Sequence, residues 1–250
     1  MKPDHPIVWQ ASPSLRMKKG SAVYHAIKRA ILLREVLPGE ALLEQHIAGD
    51  MGCSQGTVRE ALLRLQEDGL VARRGYQGTV VSDTSPAEAA QMAQIRIRIE
   101  TVGIRRAAEV LDSAELESLG RLIEQMEAAS NSDDQYPCSE LDRQFHLRIF
   151  RASGLTALEP ILMRCALHMH RYTFGNAPPT RRPHASPVAE QHEAILTALG
   201  KRDAEAASQI VQTHIEAVIA LWSPTLREAM DQSPGWAWAD AEFQEAGAGS

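Results

Sequence analysis

The 250 residues predict a mainly α chain in two parts: three helices and a β-hairpin, then an all-α bundle of six to seven helices. Three observations carry that expectation. Ala, Leu, Glu and Arg are plentiful while aromatics make up only 5%, a bias toward helix. Apolar residues recur at helical spacing along most of the chain and give way to two short strand-like runs at one place, residues 70–81. The charge also divides. Residues 1–82 hold eleven Lys and Arg against eight Asp and Glu, whereas residues 83–250 hold fifteen against twenty-four. A basic front and an acidic back within an overall charge of −6 point to two domains with different partners.

Composition excludes several classes. With 44% hydrophobic and 23% charged residues the chain is not disordered throughout, and its length can bury a core without disulfide staples. Three widely spaced cysteines, Cys53, Cys138 and Cys165, exclude a disulfide framework or a Cys-rich zinc site and suit a reducing cytoplasm. No apolar run approaches the roughly 18 residues of a membrane helix. The start, MKPDHPIVWQ, has no apolar core of a secretory signal. A soluble, cytoplasmic protein with no membrane partner is expected.

Residues 1–20 lack periodicity and are expected to form a mobile arm. Val23, Ala26, Ile27, Ala30 and Ile31 then make one face of a helix, and Pro38-Gly39 a turn. A second helix is expected over 42–51, with Gly52 as its left-handed terminator. Ser54 can cap a third, whose apolar row is Val58, Ala61, Leu62 and Leu65. Runs 70–73 and 79–81 read as strands around a Gly75–Gly78 loop. The front domain is thus placed at 21–82 and a linker at 83–85.

The back domain is placed at 86–223, with helices over 86–111, 113–129, 137–153, 155–174, 187–200 and 203–222. Asp112 with Glu115 forms a capping-box pattern, Ser186-Pro187 a helix start, and Asp203 a further cap. The Pro-rich stretch 175–185 reads as a crossing loop, and 224–250 as a flexible tail.

Two helices joined by a tight turn and followed by a hairpin make a winged helix-turn-helix, whose third helix reads double-stranded DNA. Gln55, Thr57 and Arg59 lie off its apolar row, and the helix N-terminus at Ser54 favours a phosphate. Arg can grip guanine through two hydrogen bonds and Gln can grip adenine. Arg73, Arg74 and the Gly78 backbone offer a wing that can approach a groove. The plainer alternative is a merely solvated helix face.

The stretch PGEALLEQHIAGDMGCSQGTVREALLRLQEDGLVARRGYQGTVV resembles the N-terminal domain of GntR-family transcriptional regulators. Pro38-Gly39, Gly52, Ser54, Val58-Arg59-Glu60-Ala61-Leu62, Leu65, Gly69-Leu70-Val71 and Gly78 carry the match. The resemblance implies operator DNA as partner. Gln55 and Gln45 stand where that family usually has arginine, and Thr57 where it has proline, so a different operator is expected.

In the back domain Asp142 and His146 stand one helical turn apart, with His192 and His214 on later helices. Imidazoles and a carboxylate from facing helices can hold a divalent ion, although each residue taken singly is more often a surface or packing contact. LDRQFHLRIFRASG, AEQHEAILTALGKRDAEAA and VQTHIEAV resemble segments of the FCD domain, the effector-binding module of FadR-type GntR regulators. The resemblance implies that Asp142, His146, His192 and His214 are metal ligands. Zinc is the first expectation, with nickel or manganese also admissible.

Arg96 shares a helix row with Met92 and Ile99 and interrupts an apolar stripe. Either its head reaches out to solvent or it waits inside the bundle to pair with a small carboxylate. The family resemblance favours the second and makes Arg96 the effector contact, with Arg98 the weaker candidate. His168 and His170 are not singled out by spacing. The expected protein is a homodimeric, ligand-responsive regulator acting as a repressor, not an enzyme. The alternatives are a metal-dependent hydrolase or lyase, and a DNA-binding dimer whose metal is purely structural.

Overall fold

The computed structural model describes Trp9 and residues 19–132, 134, 136–176 and 188–232. Its first three helices are α1 (Lys19–Leu32), α2 (Glu44–Asp50) and α3 (Gln55–Glu67). The expected apolar rows are the buried ones: Val23, Ala26, Ile27, Ala30 and Ile31 on α1, and Val58, Ala61, Leu62 and Leu65 on α3. Gly52 turns the chain between α2 and α3 at φ +59°, a conformation that side chains disfavour. Ser54 caps α3 by accepting the Thr57 N–H at 3.1 Å. The hairpin pairs β1 (Val71–Arg74) with β2 (Gly78–Val81) antiparallel, Val71 opposite Val81. One pairing goes beyond the expectation: Ala41 bridges Val80, and the Leu42 N–H donates to the Thr79 carbonyl at 2.8 Å.

The bundle comprises α4 (Pro86–Val110), α5 (Ser113–Ser130), α6 (Tyr136–Ala152), α7 (Glu159–Asn176), α8 (Val188–Gly200), α9 (Ala204–Trp222) and α10 (Pro224–Gln232). Capping boxes start α4 at Ser85 and α5 at Asp112, and Asp203 caps α9. The long α4 packs against α6, α7, α9 and α10. Among the described residues no helix is long and apolar enough to cross a membrane.

Several boundaries differ from the sequence reading: α1 already starts at Lys19, inside the arm expected over 1–20, and α2 is shorter than the expected 42–51. The expected tail begins as helix α10, because Pro224 is preset for a first turn and Leu226, fully buried, anchors it in the bundle core. A short 3-10 turn, Thr156–Leu158, precedes α7, which runs two residues past its expected end. Most of the expected arm, the rest of the crossing loop with its Ser186-Pro187 cap, and the tail beyond 232 lie outside the described residues.

The two domains meet over buried charge. Lys28 of α1, only 1% exposed, reaches Glu140 of α6 at 2.7 Å, and Arg143 grips the same carboxylate at 2.5 Å. Burial pushes the Glu140 pKa up, but Lys28 and then Arg143 outweigh it and hold the pKa at about 2. One carboxylate cannot fully offset two cations. Burial, and then Arg143, depress Lys28 to about 8 despite its partner. Tyr136 and Leu167 of the bundle pack into the winged-helix core. On α7, Arg171 donates to the Ser82 carbonyl and the Thr84 hydroxyl, and His168 Nδ1 lies 2.8 Å from that hydroxyl, which pins the linker.

Removing Glu140 strands two buried cations. Glu140→Leu is expected to cost about 3–5 kcal/mol in a denaturant titration, as for a broken buried ion pair. Between pH 4.5 and 2 the unfolded chain takes up a proton that the folded carboxylate refuses. The stability Glu140 contributes is therefore complete above pH 4.5 and lost as the pH falls toward 2. The variant should lack that part of the acid-side decline.

Candidate metal centre and DNA-reading surface

The bundle brings together all four residues that the sequence singled out as ligands. Asp142 and His146 lie one turn apart on α6, His192 comes from α8 and His214 from α9. One ligand atom from each falls within 4.8 Å of the others. Asp142 Oδ1 sits at the centre, 3.2 Å from His192 Nε2, 3.7 Å from His146 Nε2 and 3.8 Å from His214 Nε2. The His146 and His214 rings stack at 5.3 Å, and His192 meets His214 edge-on at 4.5 Å.

Two of the imidazoles have partners at their outer ring nitrogens. His146 Nδ1 lies 2.5 Å from Glu100 Oε2, and His214 Nδ1 lies 2.9 Å from Gln191 Oε1. An ionised carboxylate can only accept, so His146 Nδ1 carries the proton and its Nε2 lone pair faces the cluster. That Nε2 is buried with no hydrogen-bond partner. An orphaned basic nitrogen beside a partly buried carboxylate is what a divalent cation would satisfy, so the donor set fits a metal.

Burial raises the Asp142 pKa, but the imidazoles around it, His146 first and then His170, His192 and His214, outweigh burial and hold it well below the usual carboxylate range. Burial depresses His214 to about 4 and lowers His170, leaving both neutral at pH 7. A groove of about 270 Å³ between α8 and α9, lined by Gln191, Ala194, Ile210 and Thr213, opens beside His214.

Arg96 does not reach out to solvent. It is 2% exposed, with Nε 2.5 Å from Glu100 Oε1 and Nη1 3.5 Å from the Met169 sulfur. Arg98 is exposed, as expected. Spacing did not mark three contributors. Glu100 could have been found as an acid one turn after the stripe arginine, and Gln191 only as a neighbour of His192. His170, whose Nε2 is 3.5 Å from Asp142 Oδ2, carries no local signal.

The DNA-reading candidates are mostly on the surface. Gln45, Ser54, Gln55, Arg59, Arg73, Arg74 and Gly78 are exposed, and Thr57 is half-buried with its hydroxyl 2.9 Å from Ser54 Oγ. Arg59 is not free: Glu44 of α2 accepts from its Nη2 at 2.7 Å and from its Nε at 3.1 Å. Tyr76, which the sequence reading passed over, is fully exposed at the wing tip.

A winged helix presenting polar side chains on α3, joined to a helical bundle with an enclosed polar centre, defines a two-domain, DNA-binding transcriptional regulator. Family comparison makes this specific. The profile of the bacterial regulatory proteins of the gntR family matches residues 19–81, and that of the FCD domain matches residues 91–217. The chain belongs to the GntR family, in its FCD-containing branch, and so to transcriptional regulators rather than enzymes.

Relatives include the HTH-type transcriptional repressor RspR of Escherichia coli, 25% identical over 86% of this chain and 91% of that protein. The HTH-type transcriptional repressor NanR of Cronobacter sakazakii is 27% identical over 84% of this chain and 87% of its own length. Among solved structures, E. coli McbR/YncC superposes with a TM-score of 0.69 at 23% identity, over 83% of this chain and 98% of that one.

A close helix approach holds the centre together. A Cβ on Gly103 of α4 would lie 2.4 Å from the Phe150 ring of α6, one turn beyond the Glu100–His146 contact. Gly103→Ala is expected to destabilise by about 1–3 kcal/mol, as overpacking does, because the α4 backbone or the ring must yield. A melting curve checks the loss, and the His146 ring resonances should shift with it.

Proposed function

We propose that this chain is a homodimeric repressor whose bundle holds a divalent metal and senses a small carboxylic acid. The metal, zinc first and nickel or manganese next, binds Asp142, His146, His192 and His214. The supporting observation is the buried Nε2 of His146, held bare by Glu100 and aimed at a carboxylate. When bound, the metal supplies a Lewis-acidic centre that an acid's oxygen can join.

Arg96 is the second contact for the acid. It gives Nε to Glu100, but its Nη1 meets only a thioether, a weak acceptor that a carboxylate oxygen outcompetes. Operator DNA is read by α3 with Gln55 and Arg59, assisted by Ser54, Thr57 and Gln45, while Arg73, Arg74 and Gly78 form the wing contact. Two copies read a near-palindromic site in the cytoplasm. The names of RspR and NanR support repression as the default action.

One observation favours a second reading, a purely structural metal: Arg96 already has a carboxylate partner within its own chain. Operator affinity with and without a panel of small carboxylic acids separates the two. The sensing reading requires at least one acid to change that affinity; a structural metal leaves it constant throughout.

His146→Ala should lower metal content. Added zinc should raise the melting temperature of the parent but not of this variant, since bound metal stabilises the fold by mass action. Arg96→Lys keeps a cation beside Glu100 and should retain metal stoichiometry while losing the acid response, because an ammonium cannot bind bidentately. Arg59→Ala should weaken specific operator binding roughly 10- to 100-fold at matched salt, with little change in melting. Unchanged operator affinity would remove Arg59 from the reading surface.

A further inference from the structure

Glu100 touches both Arg96 and a member of the four-residue cluster. Its Oε1 takes the Arg96 Nε–H at 2.5 Å and its Oε2 meets His146 Nδ1 at 2.5 Å, with Arg96, Glu100 and His146 all less than 5% exposed. Arg96 and Glu100 are four residues apart on α4, so they share one helix face. That face is pressed against α6 where Gly103 admits the Phe150 ring.

His146 stands between two carboxylates. Glu100 lies against Nδ1, and Asp142 Oδ1 lies 3.7 Å from Nε2. A neutral imidazole carries one ring proton, and the two carboxylates compete for it. If the proton sits on Nδ1, Nε2 offers a lone pair to the cluster. If it sits on Nε2, an N–H points into the place a cation needs, and the site is closed. The distances decide the competition in favour of Glu100. The counterpart at His214 is weaker, because Gln191 is a neutral amide whose oxygen and nitrogen can exchange places.

We propose that Glu100 is the positioning residue of this centre: it fixes His146 in the Nδ1–H tautomer, and Arg96 fixes Glu100 in the orientation that does so. The inference rests on the metal reading above for its consequence, but not for its geometry. Arg96 thereby has a structural task besides any contact with an acid. Carboxylates and carbonyls behind a ligating histidine commonly set metal affinity in this way.

The test removes the acceptor without stranding a charge. In an Arg96→Met background, Glu100→Leu and Glu100→Gln differ in whether position 100 can accept the Nδ1–H. Replacing a buried ion pair by apolar groups of similar size is often neutral for folding, so the full-length chain can be used. Nitrogen-15 NMR of the metal-free proteins reads the His146 tautomer, and competition with a chelator reads Zn2+ affinity.

The parent and the Arg96→Met/Glu100→Gln protein should show Nδ1–H. Arg96→Met/Glu100→Leu should show Nε2–H and bind Zn2+ about 10- to 100-fold more weakly. Glu100→Asp, which keeps both charges but withdraws the acceptor, should also lose Zn2+ affinity, and it carries the test if the double variants do not fold. The same tautomer in the Leu and Gln proteins, or for Glu100→Asp the parent's tautomer with its Zn2+ affinity, would overturn the proposal. Should the parent bind no Zn2+, the metal reading fails, while the tautomer measurement still decides the role of Glu100.

Discussion

The placing of the partly buried Asp142 carboxylate, its side chain 17% exposed, among the bundle helices is the constraint on which the rest of the back domain depends. An ionised carboxylate removed from water is costly unless partners surround it. Four imidazoles do so here, from α6, α7, α8 and α9, with ring nitrogens 3.2 to 3.8 Å from its oxygens, so four helices share one polar centre. Glu100 and Arg96 bring α4 into the same arrangement. A bundle held only by apolar faces could tolerate small slides between helices. Here a slide of α4 against α6 would also break the Glu100–His146 contact at 2.5 Å.

The same logic, in a different place, joins the domains. Lys28, Glu140 and Arg143 form a buried group between α1 and α6, and burial makes each depend on the others. On α7 consecutive residues face two ways. Met169 and His170 turn inward to Arg96 and Asp142, whereas His168 and Arg171, one turn apart, hold Ser82 and Thr84. The helix that lines the polar centre is therefore also the one that grips the linker of the winged helix, with no intervening element.

Local signals were legible in the sequence and distant ones were not. The caps at Ser54, Asp112 and Asp203 could be read because a cap and its helix lie within four residues of each other. Asp142 and His146 stood out by helical spacing, and resemblance added His192 and His214 as candidate ligands. The Glu100 role was hidden because it depends on α6 lying against α4, which follows from Gly103 meeting a ring 47 positions away. The Lys28–Glu140 pair spans 112 positions and leaves no trace in any window of the chain. Helix α10 was passed over although Leu226, Ala229 and Met230 stand at i, i+3 and i+4, because nine residues hold only one such set.

The DNA-reading face shows how one local ion pair can sharpen a reduced set of contacts. Gln45, Gln55 and Thr57 are neutral, so among these and Arg59 only Arg59 is charged. Glu44 holds it by Nε and Nη2, an exposed ion pair that favours one orientation of the guanidinium. That side of the fork is taken. Nη1 and the outer hydrogen of Nη2 remain, and these two parallel donors match guanine O6 and N7. On the reading proposed for Arg59, Glu44 does not block the contact but aims it. With fewer arginines to share the task, that orientation matters more here than in a chain whose recognition helix carries several.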